Sequence, residues 1–78
     1  MSRLPVVPFQ TMDKVLRAAG FEAVRQKGSH VFYRRSSDGK TTTVPNHGGQ
    51  DLARPLIREI LREAEMTLDK YLALLDEV

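Results

Sequence analysis

The sequence predicts a small α+β domain with the order α-β-β-β-α, followed by one additional helix at the C-terminus. Apolar residues recur at helical spacing near both ends of the chain, and three runs that favour strands lie between them. Glycines separate those runs and a proline ends the last one, as expected for a three-stranded antiparallel sheet with helices on one face. A chain of 78 residues is too short for two cores, so we expect residues 1–78 to form one domain.

The N-terminal part of the chain predicts an extended lead-in and a first helix. Residues 1–10 contain two prolines and no hydrophobic period, which indicates an extended segment. Thr11 is expected to N-cap a helix that runs to about Ala19, and Gly20 to close it in the left-handed conformation. The apolar residues of this helix recur at helical spacing and form its expected buried stripe: Met12, Val15, Leu16 and Ala19.

The middle of the chain predicts three strands joined by short turns. The strands are expected to span residues 21–27, 30–35 and 40–44. Gly28 and Ser29 form the first turn, and a hairpin turn over residues 36–39 forms the second, where Gly39 is free to adopt positive φ. Pro45 ends the third strand because proline cannot donate to a sheet.

Two helices are predicted after a glycine-containing loop at residues 46–50. Pro55 suits the first turn of a helix that reaches about Glu65, since its missing N–H costs nothing there. The apolar face of that helix comprises Leu56, Ile57, Ile60, Leu61 and Ala64. Thr67 can cap a last helix within residues 67–78, whose apolar side is expected to comprise Leu68, Tyr71, Leu72 and Leu75.

Composition excludes several classes of protein. The chain is 41% hydrophobic and 28% charged, which is typical of a soluble globular domain. No apolar run approaches the ~20 residues of a membrane span, and prolines interrupt the N-terminus too early for a signal peptide. The absence of cysteine excludes disulfides and thiolate–zinc sites. We therefore expect a cytoplasmic protein without a membrane partner, a metal or another cofactor.

The charges are unevenly distributed along the chain. Residues 1–62 carry eleven Lys and Arg against five Asp and Glu, a net charge of +6, whereas residues 63–78 carry one Lys against five acids, a net charge of −4. A basic body with an acidic tail is consistent with a polyanionic ligand on the body. The alternative is that these charges only solvate a small surface.

The segment before the second strand concentrates the chemistry. His30 follows the Gly28 break, and Arg25 and Lys27 precede it, so a titratable imidazole lies beside fixed positive charge. Such a combination suits acid–base chemistry on a phosphate. Side chains alternate along a strand, so His30 shares a face with Phe32 and Arg34, but both faces carry an aromatic residue and the pattern alone does not say which is covered.

Several motifs together resemble the HicA family of toxin–antitoxin ribonucleases. The resemblance covers roughly residues 11–67, and the sequence KGSH at residues 27–30 is its most specific part. Residues 24–26, directly before this KGSH sequence, also match. The remaining matches are Gly20-Phe21, Asp38-Gly39, Thr43-Val44-Pro45, His47 and ILREA at residues 60–64.

The resemblance implies a double-stranded-RNA-binding-domain-like fold, and a toxin that cleaves mRNA without a ribosome and is blocked by a HicB-like antitoxin. The family's catalytic histidine corresponds to His30, with Gly28 and Ser29 beside it, and the histidine of the following loop corresponds to His47. The chain differs from the family where Pro55-Leu56-Ile57 begins the second helix and where Ala64-Glu65 replaces an Ala-Gly end. Residues 68–78 extend past the usual end, and this extension could pack on the core, dimerise or contact the antitoxin.

These residues suit metal-independent RNA cleavage on chemical grounds. His30 can act as general acid or base, and His47 is a candidate for the second proton transfer if the fold brings it near. Phosphate binding is expected from four basic residues: Lys27, Arg25, Arg34 and Arg35. Two other classes remain open, namely a non-catalytic RNA-binding module and a protein-interaction module.

Overall fold

A computed structural model describes residues 4–78 and has the predicted order of elements. The helices and strands are α1 (Phe9–Ala18), β1 (Phe21–Lys27), β2 (His30–Arg35), β3 (Thr41–Pro45), α2 (Arg54–Glu63) and α3 (Leu68–Glu77). The strands form one antiparallel sheet in the order β1-β2-β3, so β2 is central. This arrangement confirms the predicted α+β fold, which resembles a double-stranded-RNA-binding domain with an added C-terminal helix.

The start of α1 differs from the prediction. The helix begins at Phe9, its N-cap is Pro8 and no side chain caps it, so the prediction that Thr11 is the N-cap is wrong. Pro8 is held by a β-bridge to Asp51, a contact distant in sequence that determines where the extended chain turns into the helix. The other end agrees with prediction, since Gly20 follows the helix with φ of 95°.

The predicted lead-in packs against the body of the protein. Residues 1–3 lie outside the described part of the chain, residues 4–7 belong to no helix or strand, and Leu4 is buried. The carbonyl of Leu4 accepts a hydrogen bond from Nε of Arg54 at 2.8 Å, and that of Val7 accepts one from the N–H of Leu52 at 2.9 Å. The lead-in is therefore tied to the first residue of α2 and to the segment just before it.

A β-bulge shapes the first hairpin. Residues 28 and 29 form a two-residue turn, and the positive φ of 59° at Gly28 suits the first central position of a type II′ turn. Farther along, Val24 has no partner, because Ala23 pairs with Tyr33 whereas Arg25 pairs with Phe32. The extra residue reverses the faces of the strand beyond it.

The helices cover one face of the sheet and enclose the core there. The buried apolar residues of α2 are those predicted apart from Leu56, which is only partly buried. In α3 the buried residues are Tyr71 and Leu74, so the placement of Leu72 on the buried side is wrong. The leucines of α3 form two apolar stripes, and the packing of α3 beside α1 determines which of the two is buried.

The end of α2 replaces a glycine by Glu65. This residue adopts φ of 53° in the left-handed region, the N–H of Met66 donates to the carbonyl of Leu61 at 2.8 Å, and the N–H of Glu65 donates to that of Arg62 at 3.1 Å. These two bonds form a Schellman motif, for which glycine is usual. The helix therefore ends with the geometry that is usual when glycine occupies this position. Because Glu65 carries a side chain, its backbone is strained there.

No helix within residues 4–78 is long and apolar enough to cross a membrane.

Candidate functional site

The burial of β2 shows which face of the sheet is covered. Val31 and Tyr33 are buried beneath the helices, at 6% and 0% exposure. Because side chains alternate, His30, Phe32 and Arg34 lie on the opposite side. We call that side of the sheet the open face.

Strand register defines the neighbours of these residues on the open face. In an antiparallel pair, directly opposite residues point to the same side of the sheet. Three rows therefore cross the open face: Lys27–His30–Pro45, Arg25–Phe32–Thr43 and Glu22–Arg34–Thr41.

His30 lies at one end of the central strand and is exposed. Two hydrogen bonds hold the turn that precedes it, one from β1 and one from the residue that follows β3. The Ser29 carbonyl accepts a hydrogen bond from the N–H of Asn46 at 2.6 Å, and the Gly28 carbonyl accepts one from Nε2 of Gln26 at 3.0 Å. Gly28 and Ser29 thus hold the backbone from which the imidazole projects, and leave the imidazole accessible to a ligand.

The fold brings His47 to the same end of the sheet as His30. Pro45 pairs directly with His30, and His47 follows it by two residues. Oδ1 of Asn46 accepts a hydrogen bond from the N–H of Gly48 at 3.1 Å, which bends the chain around His47. Both histidines are exposed there, so one extended ligand can reach both.

Three of the four predicted phosphate-binding residues share the open face with His30. Arg25, Lys27 and Arg34 are exposed, and none of them forms a salt bridge within residues 4–78. Glu22 is the one acidic residue among the nine positions of the three rows. The open face therefore carries positive charge that the described protein leaves unneutralised.

Arg35 lies on the other side of the sheet, apart from His30. Its guanidinium forms a salt bridge with Asp38 at 2.8 Å and donates to the carbonyls of Ala19 and Ala64 at 3.3 Å and 3.2 Å. It also lies 4.6 Å from the ring centroid of Phe21. The hydrogen bond from Arg35 lowers the pKa of Asp38. Arg35 therefore joins the sheet to the helix ends and is not available to a phosphate at His30.

A polar network joins the covered face to α1 and α2. The Tyr33 hydroxyl donates to Oδ1 of Asp13 at 2.5 Å, and Asp13 also pairs with Arg17 at 3.0 Å. Burial, followed by this hydrogen bond, raises the pKa of Tyr33. On the next strand, the buried hydroxyl of Thr42 donates to Oε1 of Glu63 at 2.8 Å. These contacts fasten the sheet to the helices, so β2 presents His30 from a rigid support.

Phe32, Thr41 and Thr43 lie among the residues of the open face, although no motif in the sequence marks them as functional. Arg25 lies over Phe32, with 4.6 Å between the guanidinium carbon and the ring centroid. The two-residue turn at residues 28 and 29 was the available signal, because it implies that Arg25 pairs with Phe32. Thr43, across Phe32 on β3, follows only from the register of the second hairpin.

Comparison with known proteins identifies a family. A family model described as the HicA toxin of bacterial toxin–antitoxin systems matches residues 9–66. The match runs from α1 to just past α2, contains every residue of the open face as well as His47, and ends before α3. No individual curated protein matches the chain.

Proposed function

This chain belongs to the HicA family of toxins from bacterial toxin–antitoxin systems, and we propose that it is a metal-independent endoribonuclease of mRNA with His30 as its acid–base group. Membership itself implies a toxin with an antitoxin partner, and the toxins of this family are known in general as ribonucleases. The cleavage mechanism, the substrate and the identity of the antitoxin are the parts that we propose.

One observation carries the proposal: an exposed histidine lies at the end of a rigid central strand among unneutralised cations. His30 is flanked by Lys27 in its own row, and Arg25 and Arg34 follow in the next two rows of the open face. An RNA strand along the face would meet positive charge at successive phosphates. An imidazole can accept or donate a proton near neutral pH.

The chemistry requires two proton transfers. A base removes the proton of a ribose 2′-hydroxyl, whose oxygen attacks the adjacent phosphorus while the bond to the 5′-oxygen breaks and an acid protonates that oxygen. His30 performs one transfer and His47 is the candidate for the other, since both lie at the same end of the sheet. Lys27 stabilises the charge that develops on the phosphate.

This mechanism needs no metal because side-chain cations supply the positive charge. Within residues 4–78, no three His, Cys, Asp or Glu side chains cluster so as to hold a metal ion. Addition of a chelator to the purified protein tests this part separately. Cleavage should continue unchanged in EDTA, and loss of cleavage that Mg²⁺ restores would contradict the metal-independent mechanism.

We propose that the antitoxin is HicB-like and inhibits the toxin by covering the open face. The residues that bind RNA are exposed and carry a net positive charge, so an acidic partner surface placed there would exclude the substrate. Charge-reversing substitutions at Arg25 or Arg34 should weaken the complex with the antitoxin.

The central experiment compares wild type with His30→Ala. Induced in bacteria, wild type should arrest growth and degrade mRNA, whereas His30→Ala should do neither while retaining its far-UV circular dichroism spectrum. In vitro, cleavage should fall at least about 100-fold, the lower range for general acid–base catalysis. Exposed Lys14→Ala on α1 is the matched control and should cleave as wild type does. Equal cleavage by wild type and a folded His30→Ala would rule out His30 as the catalytic group.

A non-catalytic RNA-binding module is the second candidate, favoured by the cationic open face and the resemblance of the fold to double-stranded-RNA-binding domains. Such a module would bind RNA with strong salt dependence and leave it intact. Intact RNA after prolonged incubation with wild type, together with salt-sensitive binding, would select this candidate. A protein-interaction module would show no salt-sensitive RNA binding.

A further inference from the structure

A depression next to His30 has a chemical character of its own. It lies on the open face, has a volume of about 520 Å³ and is centred on the second and third rows. Its lining includes Val24, Arg25, Phe32, Arg34, Thr41 and Thr43. His30 is outside it, so the depression is adjacent to the proposed catalytic group and distinct from it.

The floor and one wall of the depression form a stacking platform. The Phe32 ring is partly buried, and the guanidinium of Arg25 lies 4.6 Å from its centroid. Aromatic rings and arginine guanidinium planes are the two groups on which proteins stack unpaired bases. An aromatic residue on the uncovered side of a sheet is otherwise unfavourable, since it leaves apolar surface in water.

The opposite wall offers hydrogen bonds. Thr41 and Thr43 lie on the open face of β3 by register, and their hydroxyls make no side-chain hydrogen bond within residues 4–78. This contrasts with Thr42, on the covered face, whose hydroxyl is bound to Glu63. Hydroxyls beside a stacking platform can bond to the edge of a base.

The depression and His30 are separated by roughly the length of one nucleotide. Phe32 is two residues beyond His30 on the same strand, about 6.6 Å at the usual rise per residue. That length is comparable to one nucleotide of an extended single strand. A phosphate at His30 and Lys27 therefore places a neighbouring base beside the stacked pair of Phe32 and Arg25.

We infer that this depression is a base-binding subsite, in which an unpaired nucleobase next to the scissile phosphate stacks against Phe32 and Arg25. The inference rests on the proposed function for the position of the phosphate. Bases in a duplex are already stacked and paired, so the subsite selects single-stranded RNA. Double-stranded-RNA-binding domains, which this fold resembles, recognise a duplex instead. The cations and free hydroxyls favour a nucleic acid over a polypeptide as the occupant.

The test measures binding, which makes it independent of cleavage. Full-length His30→Ala is titrated into a fluorescently labelled single-stranded RNA of mixed sequence, and into the same RNA paired with its complement. Adding Phe32→Leu should weaken single-strand binding by about 5- to 150-fold, the range for loss of one base–aromatic stack. Phe32→Tyr should restore most of the affinity, and the duplex should bind more weakly than the single strand.

A second pair of variants tests the guanidinium without disturbing the core. Arg25→Gln in the depression is compared with Arg58→Gln on the exposed side of α2, so that both lose one positive charge. Arg25→Gln should weaken binding more than Arg58→Gln, and should reduce the fluorescence change of a strand that contains 2-aminopurine. This pair decides the matter if Phe32→Leu does not fold.

Equal affinity of His30→Ala with and without the folded Phe32→Leu change would overturn the subsite, whatever the cleavage results. Equal effects of Arg25→Gln and Arg58→Gln would also overturn it, because charge alone would then explain binding. If wild type fails to cleave RNA but these variants behave as expected, the subsite stands and the ribonuclease proposal fails. If the Phe32 and Arg25 variants weaken binding of the antitoxin but leave RNA affinity unchanged, the depression belongs to the antitoxin interface and the subsite is overturned.

Discussion

Arg34 and Arg35 are adjacent in sequence and lie in opposite environments. Arg35 points to the covered face, where it contacts Asp38, two backbone carbonyls and the Phe21 ring. Arg34 points to the open face and forms no salt bridge within residues 4–78. The same side chain thus contributes to stability in one position and remains available to a ligand in the next.

The two faces as a whole repeat this difference. On the covered face polar groups are paired, and within the described residues no buried side-chain polar atom lacks a partner. On the open face three cations, an aromatic ring and two threonine hydroxyls remain available. Polar groups on the covered face are satisfied by partners within the described protein, whereas those on the open face are left for a substrate to bind.

Replacing each of the two arginines separately by glutamine should have the largest effects and tests the difference between the two faces most directly. Arg35→Gln should lower the free energy of unfolding by about 1–3 kcal/mol, because charged hydrogen bonds to two helix ends are lost. Arg34→Gln should change it by less than about 0.5 kcal/mol, as exposed substitutions usually do. Urea unfolding measures both.

RNA affinity should respond in the opposite order. Arg34→Gln should weaken binding and flatten its salt dependence, whereas Arg35→Gln should leave the affinity of the folded fraction near that of wild type. Equal losses of stability, or equal losses of affinity, would contradict the assignment of stability to the covered face and RNA binding to the open face.

Alkaline pH should weaken the covered side selectively. Burial raises the pKa of Tyr71 from its ordinary value of about 10 to about 12, and its hydroxyl donates to the carbonyl of Pro5 at 2.9 Å. Since folding favours the neutral phenol, this stabilisation is complete below pH 10 and is lost as the pH rises toward 12. Tyr33, whose pKa is also raised, should act in the same direction.

The urea midpoint should therefore fall between about pH 9 and about pH 11.5. Tyr71→Phe should be less stable at neutral pH but less sensitive to alkali, retaining the dependence from Tyr33. A midpoint that is level over this range, or a Tyr71→Phe slope equal to that of wild type, would contradict the assignment.

The smallest expected effect is a gain at the end of α2. Glu65→Gly should raise the free energy of unfolding by about 0.5–1 kcal/mol, because glycine adopts the left-handed conformation without strain. Glu65→Ala is the matched control, since it also removes the exposed salt bridge to Lys40 but keeps the strain. Thermal unfolding should place Glu65→Gly about 2–8 °C above Glu65→Ala. A midpoint for Glu65→Gly at or below that of Glu65→Ala would show that Glu65 is not strained.

The C-terminal extension shows how tertiary packing resolved an open question. Beyond the family match, α3 packs beside α1, and its Tyr71 and Leu74 join the common core. Of the roles left open for residues 68–78, packing on the core is the one that this fold displays. Periodicity predicted the helix and its Thr67 cap, but not which leucines face inward.

Local patterns in the sequence were sufficient for the elements of secondary structure. Helical spacing, strand-forming runs and turn glycines predicted all six elements, because these signals act between near neighbours. The boundaries agree within about two residues except at the start of α1, where the N-cap is Pro8 and not Thr11. The motif around Gly28, Ser29 and His30 also identified the family. The roles of those residues in catalysis stay predictions until His30→Ala is measured.

Tertiary structure alone decided which side of the sheet is open and what surrounds His30. The bulge at Val24 reverses the faces of β1, so Phe21 enters the core and Glu22 lies opposite Arg34. The long-range pairing of Pro8 with Asp51 sets the start of α1. Face and partner depend on which surfaces the helices bury together, a cooperative outcome of contacts far apart in the chain that no local pattern contains.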